Sequence, residues 1–171
     1  LKVHLVRFAD DFVITATDRE VLQEQVMPLV QSFLAERGLT LSQEKTTITQ
    51  IDDGFDFLGQ NVRKYKGKLL IRPSAKSQKR VLQKVRQIIK TEGQHLSAYG
   101  LIMKLNPIIR GWANYHRYVV SARTFSYIDR QVHWALWRWA KRRHKEKSSS
   151  WIRQKYFDEK KSKRNIFHTH A

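Results

Sequence analysis

Charge is divided along this chain so unevenly that it limits the folds open to it. Of 33 Lys and Arg residues, five fall within residues 1–60, beside ten of the 15 Asp and Glu residues. The other 28 basic residues lie beyond residue 60 with five acids, so the first stretch carries −5 and the remainder +23. So cationic a segment cannot bury its charges, and must fold with Lys and Arg around the outside of a small apolar interior. Helices with a single apolar stripe meet that condition. Their mutual repulsion is offset by a polyanionic partner, with nucleic acid the leading candidate and an anionic membrane surface the weaker one.

At 171 residues the chain suffices for one good core or for two small units sharing an interface. No run approaches the ~18 uninterrupted apolar residues of a membrane span. There is no cysteine, which excludes disulfides and thiolate metal sites. The opening "LKVHLVRF" alternates like a strand, unlike a signal or transit peptide. Starting at Leu1 in mid-strand and without Met, the chain reads as a piece of something longer.

"LKVHLVRF" and "FVITAT" are strand-like, and the "ADD" between them leaves room only for a tight turn, giving a hairpin with Asp10 and Asp11 at its tip. Thr17 or Asp18 is placed to cap the following helix. There Leu22, Val26, Leu29, Val30, Phe33 and Leu34 predict one buried stripe, Pro28 a kink or weak point, and Gly38 a C-terminal stop. "LTLS", "TTITQI" and "FDFLGQNV" read as strands, with "DDG" a turn, and "KYKGKLLIRP" as a hairpin turning near Lys66–Gly67 and stopped by Pro73. Helices follow: one marked by Val81, Leu82, Val85, Ile88 and Ile89; a short "LSAYGLIMKL"; another starting at Asn106–Pro107; and a long one carrying Phe125, Ile128, Val132, Leu136 and Trp139. "SSS" at 148–150 then links or caps a short amphipathic "WIRQKYF". The fold class is α+β, with an antiparallel sheet and one packed helix followed by a basic all-α bundle, and a boundary near residues 72–77.

Adjacent aspartates between apolar runs repel one another and cost desolvation unless a cation sits against them. The plain reading of Asp10–Asp11 is a turn whose carboxylates bond nearby backbone. The functional reading is a divalent-metal site, because two-metal phosphoryl transfer needs carboxylates to hold its ions, and the basic half downstream suits a polyanionic substrate.

"FADD" at 8–11, "GLTLSQEKT" at 38–46 and "FDFLGQNV" at 55–62 resemble three consecutive palm motifs of reverse transcriptases, in the order and spacing of the group II intron-encoded enzymes, or maturases. "LNPIIRGWANYHRY" at 105–118 resembles the signature of their maturase-specific thumb, domain X. The resemblance implies residues 1–73 as the C-terminal part of the palm, 74–157 as the thumb, and 158–171 as a basic tail. It implies that Asp10 and Asp11 ligate catalytic Mg²⁺, and that Lys45 lies near the incoming triphosphate. Phe8 and Ala9 would approach the nucleotide, and Phe57, Leu58 and Gly59 would form the primer grip. Apart from the resemblance, Lys45 reads as a solvated loop lysine and 57–59 as a strand with a bulge glycine.

In the basic half, Arg110, His116 and Arg117, with Lys141, Arg142 and Arg143, are the RNA candidates, because cations among aromatic planes suit phosphate contact and stacking. Trp112 reads as core, Trp134 and Trp137 as packing or stacking residues, and His168 and His170 are assigned nothing. The implied full-length protein is an RNA-directed DNA polymerase and splicing maturase. Its cofactor is Mg²⁺, and its partners are intron RNA, an RNA/DNA primer-template and the N-terminal fingers and palm, with no membrane. The alternatives are a splicing factor without polymerase activity and a reverse transcriptase of another bacterial system. The 171-residue chain alone is expected not to polymerise, and the setting is the bacterial cytoplasm, with an organelle as the alternative.

Overall fold

Among the described residues, every buried side chain sits at Pro73 or beyond it, and that places the core in the basic half. The computed structural model describes residues 2–158 and 166–167. Its architecture is α+β, with small antiparallel sheets and a helical bundle.

Strands β1 (His4–Phe8) and β2 (Asp11–Thr15) form the first hairpin, with Phe8 opposite Asp11. A π-helical stretch, Val21–Val26, leads into α1 (Met27–Ala35). The widened turns lie immediately before Pro28, where a ring and a missing N–H disturb regular α-helical bonding. Past α1, Gly38 takes φ +66, with Leu39 N–H donating to the Leu34 carbonyl (2.9 Å) and Gly38 N–H to that of Ala35 (3.0 Å). Those two bonds are a Schellman stop.

The expected stripe on α1 is only partly covered. Leu22, Val26, Val30 and Leu34 are half-buried, while Leu29 and Phe33 are exposed and the Arg37 guanidinium lies over the Phe33 ring. β1 and β2 pair only with each other, and a two-stranded ribbon is too small to cover a helix face. Residues 39–50, expected to hold two strands, contain none, since strand residues without a partner edge have nowhere to place their backbone bonds.

The second sheet has the order β3 (Phe55–Phe57), β4 (Gln60–Tyr65), β5 (Lys68–Pro73). "FDFLGQNV" is therefore a hairpin and not one strand. Leu58 at φ +48 and Gly59 at φ +75 form its two-residue turn, and Phe57 pairs with Gln60. Two successive positive φ values match the strand twist, which alternating hydrophobicity alone does not reveal. Lys66 and Gly67 make the next turn in the same way, as expected. At Gly54 (φ +80) a Cβ would come within 2.8 Å of Arg63 Cβ, so the "DDG" turn requires glycine.

Helices α2 (Ala75–Thr91), α3 (Ala98–His116), α4 (Ala122–Arg143) and α5 (Ser149–Tyr156) build the bundle. Ser74, Ser97 and Ser148 cap α2, α3 and α5, each accepting a backbone N–H. The expected break at Asn106–Pro107 does not occur. Pro107 lies inside α3, where Leu101 and Leu105 before it and Trp112 and His116 after it all pack inward. The carbonyl that loses its donor belongs to Met103, an exposed residue, so the missing bond lies on the outer side of the helix.

The main core joins Val85 and Ile89 of α2, Leu101 and Leu105 of α3, Leu136 and Trp139 of α4, and Ile152 and Tyr156 of α5. Trp139 donates its indole N–H to the Gly93 carbonyl at 2.6 Å. Trp137 packs on Phe157, with centroids 5.4 Å apart, while Trp134 is exposed. Short strands β6 (Phe157–Asp158) and β7 (Ile166–Phe167) pair at the end of the bundle. His168 and His170 lie outside the described residues. Among the described residues, no helix is long and apolar enough to cross a membrane.

Candidate nucleic-acid interface

The β3–β4 turn meets the helical half through its backbone. Tyr115 Oη donates to the Leu58 carbonyl (2.7 Å), and Ser74 N–H donates to the Gly59 carbonyl (2.9 Å). A Cβ on Gly59 would lie 3.6 Å from Ser77 Oγ, in ordinary contact, so the left-handed φ is what calls for glycine. Ser77 stands behind the turn as a junction. Trp112 Nε1–H donates to its Oγ at 3.0 Å, and His116 Nε2 lies 3.1 Å from the same oxygen. Further along, Val120 N–H donates to the Ile71 carbonyl (2.9 Å), which ties the segment after α3 to the free edge of β5.

His116, expected on the RNA face, belongs to this junction. It is 1% exposed, its Nδ1 is buried without a partner, and burial lowers its pKa. A neutral ring enclosed by Trp112, Tyr115 and Ser77 cannot reach a phosphate. Trp112 is half-buried against Val81, Leu82 and Ile128, as expected of a core residue with a polar handle. Ser77 escaped the sequence reading. Its signal was present in the i, i+4 row Ser77, Val81, Val85, which puts a hydroxyl on the inner face of α2.

Asp10 and Asp11 are exposed at the first hairpin, where Ala9 has φ +53 and its carbonyl accepts Arg7 Nε–H at 2.8 Å. The apolar runs that flank the pair do not bury it, since Leu5, Val6 and Phe8 are 56–63% exposed. Among the described residues, nothing covers either face of the ribbon deeply. No described cation makes an ion pair with either aspartate, and no three His, Asp or Glu side chains converge among the described residues. Two hard carboxylate donors nevertheless fit Mg²⁺, which takes one or two carboxylates and completes its shell with water and substrate phosphate. Lys45 is exposed in a turn closed by Ser42, and no bond joins it to the aspartates. Phe57, Leu58 and Gly59 are half-buried.

Arg110, Arg117, Lys141, Arg142 and Arg143 are all exposed. Arg143 also donates to the Leu96 carbonyl (3.0 Å) and lies over the Trp139 ring, so part of its role is structural. The last three residues close α4, where cations favour the negative end of the helix dipole. A groove of about 330 Å³ between α2 and α4 is lined by Gln78, Lys79, Leu82, Gln83, Arg86 and Tyr127, and no sequence motif announces it.

Residues 78–157 match the family described as group II intron, maturase-specific domain, and residues 1–62 match reverse transcriptase (RNA-dependent DNA polymerase). The chain is 30% identical over 123 residues to Maturase-like protein 1 of Euglena gracilis, across 68% of this chain and 25% of the relative. With Maturase-like protein 1 of Euglena longa it shares 29% identity over 102 residues, across 56% of this chain and 21% of the relative. The chain thus spans a quarter or less of the length of these relatives.

Proposed function

This chain belongs to the family of group II intron maturases and their reverse transcriptases, and from that premise we infer that its helical half holds intron RNA for splicing. The observation that carries this reading is the outward display of cations on α2, α3 and α4, around a core built from Val85, Ile89, Leu101, Leu105, Leu136 and Trp139. Within the family frame, the first strands are the end of a palm and the bundle is the thumb. The Leu58–Gly59 turn is where a primer end would rest, on a backbone that Tyr115 and Ser74 fix in place.

In the longer protein, Asp10 and Asp11 would hold Mg²⁺ at the hairpin tip. That ion, when bound, supplies charge neutralisation at phosphate oxygens. What the chain itself does there is fix two carboxylates on a ribbon steadied by the Arg7–Ala9 bond. The exposed apolar residues of β1 and α1 suit cover by the rest of a palm. Copying RNA into DNA for intron mobility belongs to that longer protein. RNA binding and splicing assistance are the activities this chain carries alone, which is also the sense of the maturase-only alternative. The proposed setting is the bacterial cytoplasm, with an organelle as the alternative.

The test is binding of a folded group II intron RNA to the 171-residue chain across a salt series. Log affinity falls by roughly 0.7–0.9 per phosphate contact per decade of salt, so a slope of several units is expected. A flat salt dependence overturns the reading.

A further inference from the structure

The geometry points to the groove between α2 and α4 as a binding site for unpaired nucleotides, with bases stacking on Tyr127 and Trp134 and phosphates meeting Lys79, Arg86 and Lys90. This deepens the RNA-binding reading and rests on it.

Helices α2 and α4 run side by side in the same direction. Val81 and Leu82 cluster with Ile128 in their first halves, Arg86 Nη2 donates to Gln131 Oε1 (2.7 Å) further on, and Trp139 reaches Gly93 just past the end of α2. Each helix carries along this side a row at i, i+7 and i+11, of which Lys79, Arg86 and Tyr127 line the groove itself. Such positions stay within about 20° of one line, rising ~10 Å and then ~6 Å. On α2 the row is Lys79, Arg86 and Lys90; on α4 it is Tyr127, Trp134 and Arg138. A line of cations therefore runs beside a line of aromatic rings.

Both rings are open, Tyr127 at 41% and Trp134 at 52% exposure, although each is large and apolar enough to have been buried. The charge is one-sided. α2 contains no acid, and the acid in α4, Asp129, lies about 200° from Tyr127 around the helix, on the opposite side. The groove is of ligand-binding size and mixes apolar, amide and cationic lining at Leu82, Gln83 and Arg86.

The occupant follows from this chemistry. A duplex offers phosphates but keeps its base faces stacked inside, so it would use the cations and leave the rings idle. A single strand offers both, and an aromatic platform beside a cationic track is how proteins hold unpaired strands.

The full 171-residue chain would be titrated, by fluorescence anisotropy, against labelled 20-nucleotide oligouridine and against a blunt RNA hairpin. The double variant Tyr127→Ala/Trp134→Ala is expected to weaken oligouridine binding by tenfold or more and to leave the hairpin within twofold of the parent. The pair Tyr127→Phe/Trp134→Phe should restore most of the single-strand affinity. Far-UV circular dichroism should match the parent, since both rings are exposed. Oligouridine binding within twofold of the parent, or equal loss on both probes, overturns the inference while RNA binding by the parent stands. A parent that binds neither probe overturns the RNA-binding reading as well.

Discussion

Tyr115 Oη lies 2.7 Å from the carbonyl of Leu58, so a helix of the basic half grips the backbone of a turn whose two residues both have positive φ. The bond spans 57 residues of sequence and fixes the turn without using its side chains. Tyr115→Phe removes the bond and keeps the ring. Because the phenol is half-exposed, the expected loss is about 0.5–1.5 kcal/mol in urea unfolding. An unchanged midpoint would show that the turn is held without it.

Ser77 carries more. Its Oγ is the partner of both Trp112 Nε1 and His116 Nε2. Ser77→Ala leaves both ring nitrogens unpaired in a half-buried junction, and about 1–3 kcal/mol should be lost. The cost should exceed that of Tyr115→Phe when both are measured by urea denaturation. A smaller cost would mean that water replaces the hydroxyl.

Two glycines separate strain from space. Gly59→Ala meets only a left-handed φ, worth roughly 1–2 kcal/mol. Gly54→Ala meets the same strain and also a 2.8 Å approach to Arg63 Cβ, so it should unfold at lower urea than Gly59→Ala. Equal midpoints would mean that Arg63 moves aside freely.

Acid should destabilise the fold. Burial lowers the pKa of His116; burial and then the Arg153 charge lower that of His133. His144 is lowered by burial and then by Lys155, Arg143 and Lys147. The unfolded chain takes up protons near pH 6.5 that the folded chain refuses, so stability is complete above about that pH and is lost as pH falls through the folded values. Urea midpoints should drop between pH 7 and 5, with a shallower drop in His116→Gln. A midpoint that rises on acidification would contradict this.

Asp10→Ala should leave the melting temperature and RNA affinity of the chain unchanged, because the side chain is exposed and without an ion pair among the described residues. In the protein restored with its N-terminal half, the same change should abolish primer extension and spare splicing assistance. Loss of RNA binding in the variant would break the division of roles between the two halves.

The helices of the basic half were legible because each repeats one apolar stripe against a polar background. Val81 through Ile89 and Phe125 through Trp139 lie where periodicity predicts, and Ser148 caps α5. The Lys66–Gly67 turn was equally plain, because glycine marks it. Leu58 hid the neighbouring turn, since nothing in a leucine announces φ +48. Pro107 misled for the opposite reason: a strong helix-start signal was overridden by packing on both sides of it. His116 sat among arginines and tyrosines, and only its register against Ser77 shows that it points inward. The α2–α4 groove is a property of two helices at once, which no linear motif records.

The Val120–Ile71 bond adds a rung to an otherwise open strand edge from a segment that is not itself a strand. It discourages β5 from recruiting a stranger's β-strand and aggregating. It also joins the bundle to the sheet in the manner of a latch: rotating one against the other means unzipping that rung, so sheet and bundle are tied as one body at this point.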